Sequence, residues 1–209
     1  MTKSAAGPRR PARLAGEEAV LRAAARLFRE QGYERTTVRQ VARAAGLLPG
    51  SLHYRFPAKE DLLLELMRRA VAASAVAVRA AVEGVGDPVE RVRRALRAHM
   101  RALLAGGDAA PVLLSEWRAL RGPARRAMVR LRDEYEALWD GLLREAAAAV
   151  ALRPGVDLRL VRLLGFGALN GAAAWYRPGG THTPEAIADA FVDWMRAGVL
   201  LPPTDEEGR

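Results

Sequence analysis

The chain has 209 residues, of which 50% are apolar and 27% charged, and it contains no cysteine. That length suits one ordinary domain or two small ones sharing a core, and so large an apolar share excludes wholesale disorder. The lack of cysteine excludes a disulfide framework, a thiolate metal site and a cysteine nucleophile.

The net charge of +9 is unevenly distributed: residues 1–60 carry twelve Lys/Arg against five Asp/Glu, and the remaining 149 carry 21 against 19. A polyanion partner for the N-terminal end fits this asymmetry, as does a merely solvated basic surface. The opening stretch M-T-K-S-A-A-G-P-R-R-P-A-R is basic, but no apolar core follows it, which argues against a secretory signal. The most apolar run, Leu163 to Trp175, is too short to span a bilayer. The expectation is a cytoplasmic protein without a membrane partner.

In chain order, the periodicity is helical throughout. Val20, Leu21, Ala24, Leu27 and Phe28 lie on one face of a first helix, and Gly32 is its stop signal. Thr36-Thr37 offers a cap for a short helix from Val38 to Ala45, ending at Gly46. Pro49 opens a second short helix reaching about Phe56. A long helix follows from near Ala58 to about Glu83. Later breaks fall at 84–88, at Gly106-Gly107, at Arg121-Gly122-Pro123, at Arg153-Pro154-Gly155 and at 177–180. The helices between them run roughly 12 to 28 residues, with Asp157 and Thr183 as N-caps for the last two. No run alternates apolar and polar β-branched residues. The predicted fold is all-α, with about nine helices.

The segment T-T-V-R-Q-V-A-R-A-A-G-L-L-P-G-S-L-H-Y-R-F-P-A-K, residues 36–59, has the make-up of a helix-turn-helix. Val41, Leu47 and Leu52 can meet under the turn. Ala42 and Ala45 are small enough for close approach of the two helices, and Gly46 supplies backbone freedom.

Over about residues 17–66 the chain resembles the DNA-binding domain of the TetR family. The resemblance is carried by A-A-A-R-L-F-R-E-Q-G-Y-E-R-T-T-V-R-Q-V-A-R-A-A-G, G-S-L-H-Y-R-F and K-E-D-L-L at unbroken spacing. It implies an all-helical homodimer that binds a palindromic double-stranded operator, most often a repressor released by a small effector. By position, Thr37 would cap the second helix and touch phosphate. Arg39 would reach a base or phosphate. Pro49, Gly50 and Ser51 would open the recognition helix toward the major groove. His53 and Tyr54 would lie against the backbone, with His53 near a base edge, and Lys59 would bind phosphate as a point charge. Two departures stand out: Leu48 occupies a position where the family commonly has a capping Ser or Thr, and position 53 is His where Tyr is usual. The basic stretch Lys3 to Arg13 resembles arms that enter the minor groove, or is simply a basic tail.

The implied organisation is a flexible arm at 1–13, a DNA-binding domain at 14–57, a helical effector-binding and dimerisation domain at 58–200 and a tail at 201–209. Helices near 157–176 and 184–199 are the expected dimer pair. Leu160, Leu163, Leu164, Gly167, Ala168, Gly171 and Ala172 form the stripe for close contact, unless they serve an internal core.

Residues 131–191, with W-Y-R-P-G-G at 175–180, are similar to TetR-family regulators of acyl-CoA-linked catabolism, in which the effector is a CoA thioester. Such a ligand needs an apolar tunnel and cationic groups. Leu103, Leu113, Trp117, Leu138, Trp139, Phe166 and Trp175 are expected to supply the first. Arg118, Arg121, Arg125 or Arg177 could supply the second. The alternative is that the apolar residues are ordinary core and the arginines solvated faces.

No other chemistry is indicated. His53, His99 and His182 lack ligand spacing, so neither metal nor cofactor is expected. Ser4, Ser51, Ser74 and Ser115 lie in no nucleophile motif, and the chain does not read as an enzyme. Two rival readings remain open from sequence: a constitutive DNA-binding regulator, and a small helical enzyme or ligand carrier with an incidental basic end.

Overall fold

The structure is a computed structural model that describes residues 10–105, 107–150 and 152–199. These contain nine α-helices: α1 Arg10–Gln31, α2 Val38–Ala44, α3 Pro49–His53, α4 Lys59–Val82, α5 Pro88–Ala105, α6 Ala109–Glu116, α7 Gly122–Ala148, α8 Leu158–Trp175 and α9 Pro184–Val199. The all-α expectation holds, including the count.

Three boundaries differ from expectation. First, α1 begins at Arg10, so the last four residues of the expected arm are helical, while residues 1–9 and the tail at 201–209 lie outside the described residues. Second, α3 ends at His53, and a turn carries the chain to Phe56 through bonds from the Arg55 and Phe56 amides to the Leu52 carbonyl. Third, the segment between Gly107 and Gly122 is not one helix. α6 stops at Glu116 and a single turn of 3-10 helix, Trp117–Ala119, tightens the chain before α7 starts at Gly122 with Pro123 in its first turn.

The local reasons for the short helices are visible. Thr37 and Gln40 form a reciprocal capping box: the Gln40 amide donates to Thr37 Oγ1 at 3.2 Å, and the Thr37 amide donates to Gln40 Oε1 at 2.8 Å. Gly46, at φ +71°, makes the turn that a residue with a Cβ would strain. Leu48 precedes α3 in an extended conformation without a side-chain cap, and Pro49 sets the first helical position.

Packing divides into two clusters. The first contains Phe28, Val41, Leu52, Leu62, Leu63 and Met67, together with Val112, Leu120 and Met128 from α6 to α7. Val41 and Leu52 are buried and Leu47 packs against them, as the sequence pattern predicted. Truncating Leu52 to Ala would cost about 2–5 kcal/mol. The second cluster, with Val78, Leu96, Met100, Trp139 and Leu169, fills the body between α4, α5, α7, α8 and α9. The expected division at 57/58 therefore falls just before a helix whose first half completes the head and whose second half enters the body.

One close approach depends on glycine. A Cβ at Gly165 would lie 3.0 Å from Cζ of Phe191, so this glycine sets the spacing of α8 and α9.

Candidate nucleic-acid interface and effector cavity

The residues expected at DNA lie on α2, α3, the turns beside them and the start of α4, and most of them are open to solvent. Thr37, Arg39, Gly50, Ser51 and His53 are exposed and Pro49 is half-buried, while Tyr54 is 93% exposed. A phenol that open to water has no packing role inside this chain. Gly50 has ordinary helical geometry, and a Cβ there would meet nothing within 4 Å, so the fold itself does not require glycine. Its missing side chain lowers the surface where α3 begins. Beneath this surface, buried Thr36 donates its hydroxyl to the Gly32 carbonyl at 2.9 Å and accepts the Gln31 amide at 3.1 Å. That pins the turn before α2.

Lys59 is placed differently from expectation. Its ammonium donates to the carbonyls of Tyr33 (2.8 Å) and Glu34 (3.1 Å) and sits 4.1 Å from the Tyr33 ring centroid. Two of its three N–H groups are thus used to tie α4 to the end of α1, leaving one for phosphate.

Sequence reasoning missed an ion cluster built around one buried carboxylate in the head. Glu17 of α1 is 7% exposed and accepts from both Arg55, after α3, and Arg69 of α4. The partners are 38 and 52 residues away, beyond any local pattern. Glu65 joins through Arg69 at 2.7 Å and Arg68 at 2.8 Å, and its carboxyl is held below the ordinary range chiefly by the Arg68 hydrogen bond.

The body holds a half-open cavity of about 420 Å³ between α4, α5, α6, α7 and α8. Of the residues expected to hold an effector, Leu103, Leu113, Trp117, Arg118 and Phe166 line it. Trp139 lies behind Phe166, with ring centroids 5.2 Å apart, and is buried. Leu138 is on another face of α7, beside Val82 and Leu142. Arg121 is not at the wall: its guanidinium turns back to the carbonyls of Arg118 and Leu120. Trp175 is 56% exposed at the end of α8, and neither it nor exposed Arg177 lines the cavity. One helical residue step is 100°, so a run of apolar residues in sequence cannot show which of them turn toward one hollow.

The cavity has a polar inner side that the sequence did not reveal. His99 is buried against Tyr135, Trp139 and Phe166. Burial pushes its pKa down to about 4, so the ring is neutral. Asn170 Oδ1, 3.3 Å from Nε2, can only accept, so Nε2 carries the proton and Nδ1 accepts from the Tyr135 hydroxyl at 2.9 Å. At the other side, the Trp117 ring is surrounded by three guanidinium groups, from Arg132 (4.9 Å), Arg125 (5.0 Å) and Arg118 (5.7 Å).

α6 lines the cavity through Ala110, Leu113 and Leu114, and its two ends grip the head. Asp108 at its start accepts from Arg29 at 3.0 Å, and Glu116 at its end accepts the Tyr33 amide at 3.4 Å.

The outer side of α8 is apolar and uncovered. Leu160, Leu164, Ala168, Gly171 and Trp175 are exposed along it, Leu163 and Gly167 are exposed at its edge where they also line the cavity, and Trp194 of α9 is 75% exposed. Ala172, expected in the same stripe, instead faces the chain's own core and is fully buried.

A short helix pair with an exposed polar face, carried on a helical body with a cavity, defines a helix-turn-helix transcriptional regulator with a ligand-binding domain. Residues 20–66 match the family described as bacterial regulatory proteins, tetR family, and residues 85–199 match the tetracyclin repressor-like C-terminal domain. The chain belongs to the TetR family. It is 29% identical over 190 residues to the HTH-type transcriptional repressor KstR2 of Rhodococcus jostii, covering 86% of this chain and 88% of that one. The solved TetR family transcriptional regulator PfmR from Thermus thermophilus aligns at TM-score 0.73 with 31% identity, over 84% of this chain and 96% of the other. AibR, solved in complex with isovaleryl coenzyme A and operator DNA, aligns at TM-score 0.76 with 27% identity, over 86% and 97%. None of the described helices is long and apolar enough to cross a membrane.

Proposed function

We propose that this chain is a cytoplasmic homodimeric repressor, acting by binding and not by catalysis, that leaves a palindromic operator when a CoA thioester enters the α4–α8 cavity. Thr37, Arg39, Gly50, Ser51, His53 and Tyr54 contact DNA, with the amides and side chains at the start of α3 turned to the major groove. Leu160, Leu163, Leu164, Gly167 and Gly171 of α8, with Trp194 of α9, pack against a second copy.

The observation that carries the effector class is the arrangement around Trp117. A hollow of about 420 Å³ with leucine and aromatic walls and a polar inner side opens beside a ring flanked by three arginines. An acyl group fits the hollow, and guanidinium forks fit the phosphates of CoA. The likeness to AibR supports the same class, since that protein was solved in complex with isovaleryl coenzyme A.

Release follows from the two-sided position of α6. A ligand that moves Leu113 or Leu114 outward also moves Asp108 and Glu116, and therefore the rigid head. The ligand must favour the released state; a tenfold loss of operator affinity requires a difference of about 1.4 kcal/mol.

Operator binding in the presence of a series of acyl-CoAs, free CoA and free fatty acids tests this. At least one thioester should release the operator where free CoA and the matching acid do not. If no thioester changes operator binding, or the free acid acts equally well, the effector assignment is wrong.

A further inference from the structure

A second cavity, of about 130 Å³, lies on the far side of Phe166 from the first, between α5, α7, α8 and α9. Val92, Ala146, Val161, Leu169, Phe191 and Met195 are among the groups that line it. The wall is almost wholly apolar. Phe166 and Arg162 line both cavities.

These two shared residues differ in freedom. Arg162 is 8% exposed and tied by hydrogen bonds of 2.6 Å to Asp140 and 2.6 Å to Glu136. Its charge is already matched, so it does not call for an anion. The Phe166 ring meets Trp139 (5.2 Å) and His99 (5.1 Å) edge-on and Tyr135 (6.3 Å) at a tilt, and none of these is a hydrogen bond. Turning it breaks no hydrogen bond, so Phe166 is the movable part of the partition.

We propose that the smaller cavity is a tail site, occupied by the uncharged end of a longer acyl chain whose first part lies in the larger cavity, with Phe166 turning aside to admit it. This rests on the reading that the effector is a CoA thioester. The size sets the limit. An apolar space of roughly 150 Å³ takes up benzene, so by volume the tail site holds a terminal segment of about six carbons. Short acyl groups end in the larger cavity and do not pass Phe166. Once the chain passes it, each methylene that leaves water for this apolar wall should tighten binding by up to about fourfold, until the site is full.

The test is a titration of the full chain with butyryl-, octanoyl-, dodecanoyl- and hexadecanoyl-CoA, for the wild type and two variants that fill only the smaller cavity. Ala146→Phe enters it from α7, and Val161→Phe from α8, so one serves if the other fails to fold. Wild type should bind a medium or long chain at least thirtyfold more tightly than butyryl-CoA. Either folded variant should lose most of that advantage while keeping its affinity for butyryl-CoA within about twofold. Equal affinity for all chain lengths in the wild type, or an unchanged preference in a filled variant, overturns the tail site and leaves the thioester reading standing. Failure of every thioester to bind the wild type overturns that reading, and the tail site with it.

Discussion

The ammonium of Lys59 lies 2.8 Å from the carbonyl oxygen of Tyr33 and 4.1 Å from the centre of the same residue's ring. One side chain thereby closes the C-terminal end of α1 and fixes where α4 leaves the head. Lys59→Ala removes two charge-assisted hydrogen bonds and should destabilise the protein by about 1–3 kcal/mol. It should also weaken operator and unrelated DNA alike. Thermal unfolding and salt-dependent DNA titration check this together. Unchanged stability with a salt slope smaller by about one would make Lys59 a phosphate contact and nothing more.

The link between cavity and head is predicted to run through the ends of α6. Asp108 and Arg29 are partly exposed, so their pair contributes about 0–1 kcal/mol to stability. An Asp108→Ala, Glu116→Ala double variant should therefore remain folded, bind operator within about threefold of wild type and still bind effector. The effector's influence on operator affinity should shrink by roughly tenfold, a coupling of about 1.4 kcal/mol. Operator titrations with and without saturating thioester measure that ratio. Full coupling in the double variant would locate the link elsewhere.

His99 predicts an acid-side loss of stability. Its pKa falls from the ordinary 6.5 to about 4 on folding, because burial disfavours the cation. The folded state thus resists a proton that the unfolded chain accepts. The contribution is fully present above pH 6.5 and is lost as pH falls toward 4, at up to about 1.4 kcal/mol per unit. Urea unfolding between pH 4 and 7 should show this slope in the wild type and a shallower one in His99→Gln. Parallel profiles would refute the assignment to His99.

The exposed side of α8 predicts the effect of two further changes. Leu164→Glu would place a carboxylate in the proposed dimer interface and should raise the dimer dissociation constant at least a hundredfold, about 3 kcal/mol. Trp175→Ala should weaken the dimer more modestly and leave effector affinity per subunit unchanged, since Trp175 does not line the cavity. Sedimentation and ligand titration separate these outcomes. An intact dimer with reduced ligand affinity in Trp175→Ala would return that tryptophan to the effector site.

The head was largely legible in the sequence because its determinants are local. Thr37 and its cap, Gly46 and its turn, Pro49 and its helix start each act within a few residues. Val41, Leu47 and Leu52 follow from helical spacing across one short turn. The polar exposed face of α2 and α3 was legible for the same reason. The cavity was only half legible. Leu103, Leu113, Trp117 and Phe166 were foreseen from their size and apolarity, but five helices contribute walls, and their rotations depend on packing over long sequence separations. Trp175 lies off the cavity wall, which the sequence could not show because a bulky apolar residue on an amphipathic helix looks the same whether it faces its own core or another molecule. Arg121 was misplaced because a guanidinium beside a helix start can satisfy its own preceding carbonyls. Glu17, an acid in an ordinary helical surface pattern, gave no sign of its two distant arginines.

Met128 of α7 and Val112 of α6 belong to the same packed cluster as Phe28 and Leu52. This bears on how such a protein can be recombined. A chimera joined at residue 57, just before α4, would give the incoming head a foreign set of neighbours and leave its apolar underside poorly matched. A workable exchange must carry the first half of α4 and the segment from α6 into α7 along with the reading surface. Variation in operator preference is therefore easier through the exposed positions of α2 and α3, such as Arg39, Ser51 and His53, than through exchange of the whole head, because those side chains can change without disturbing the layer beneath them.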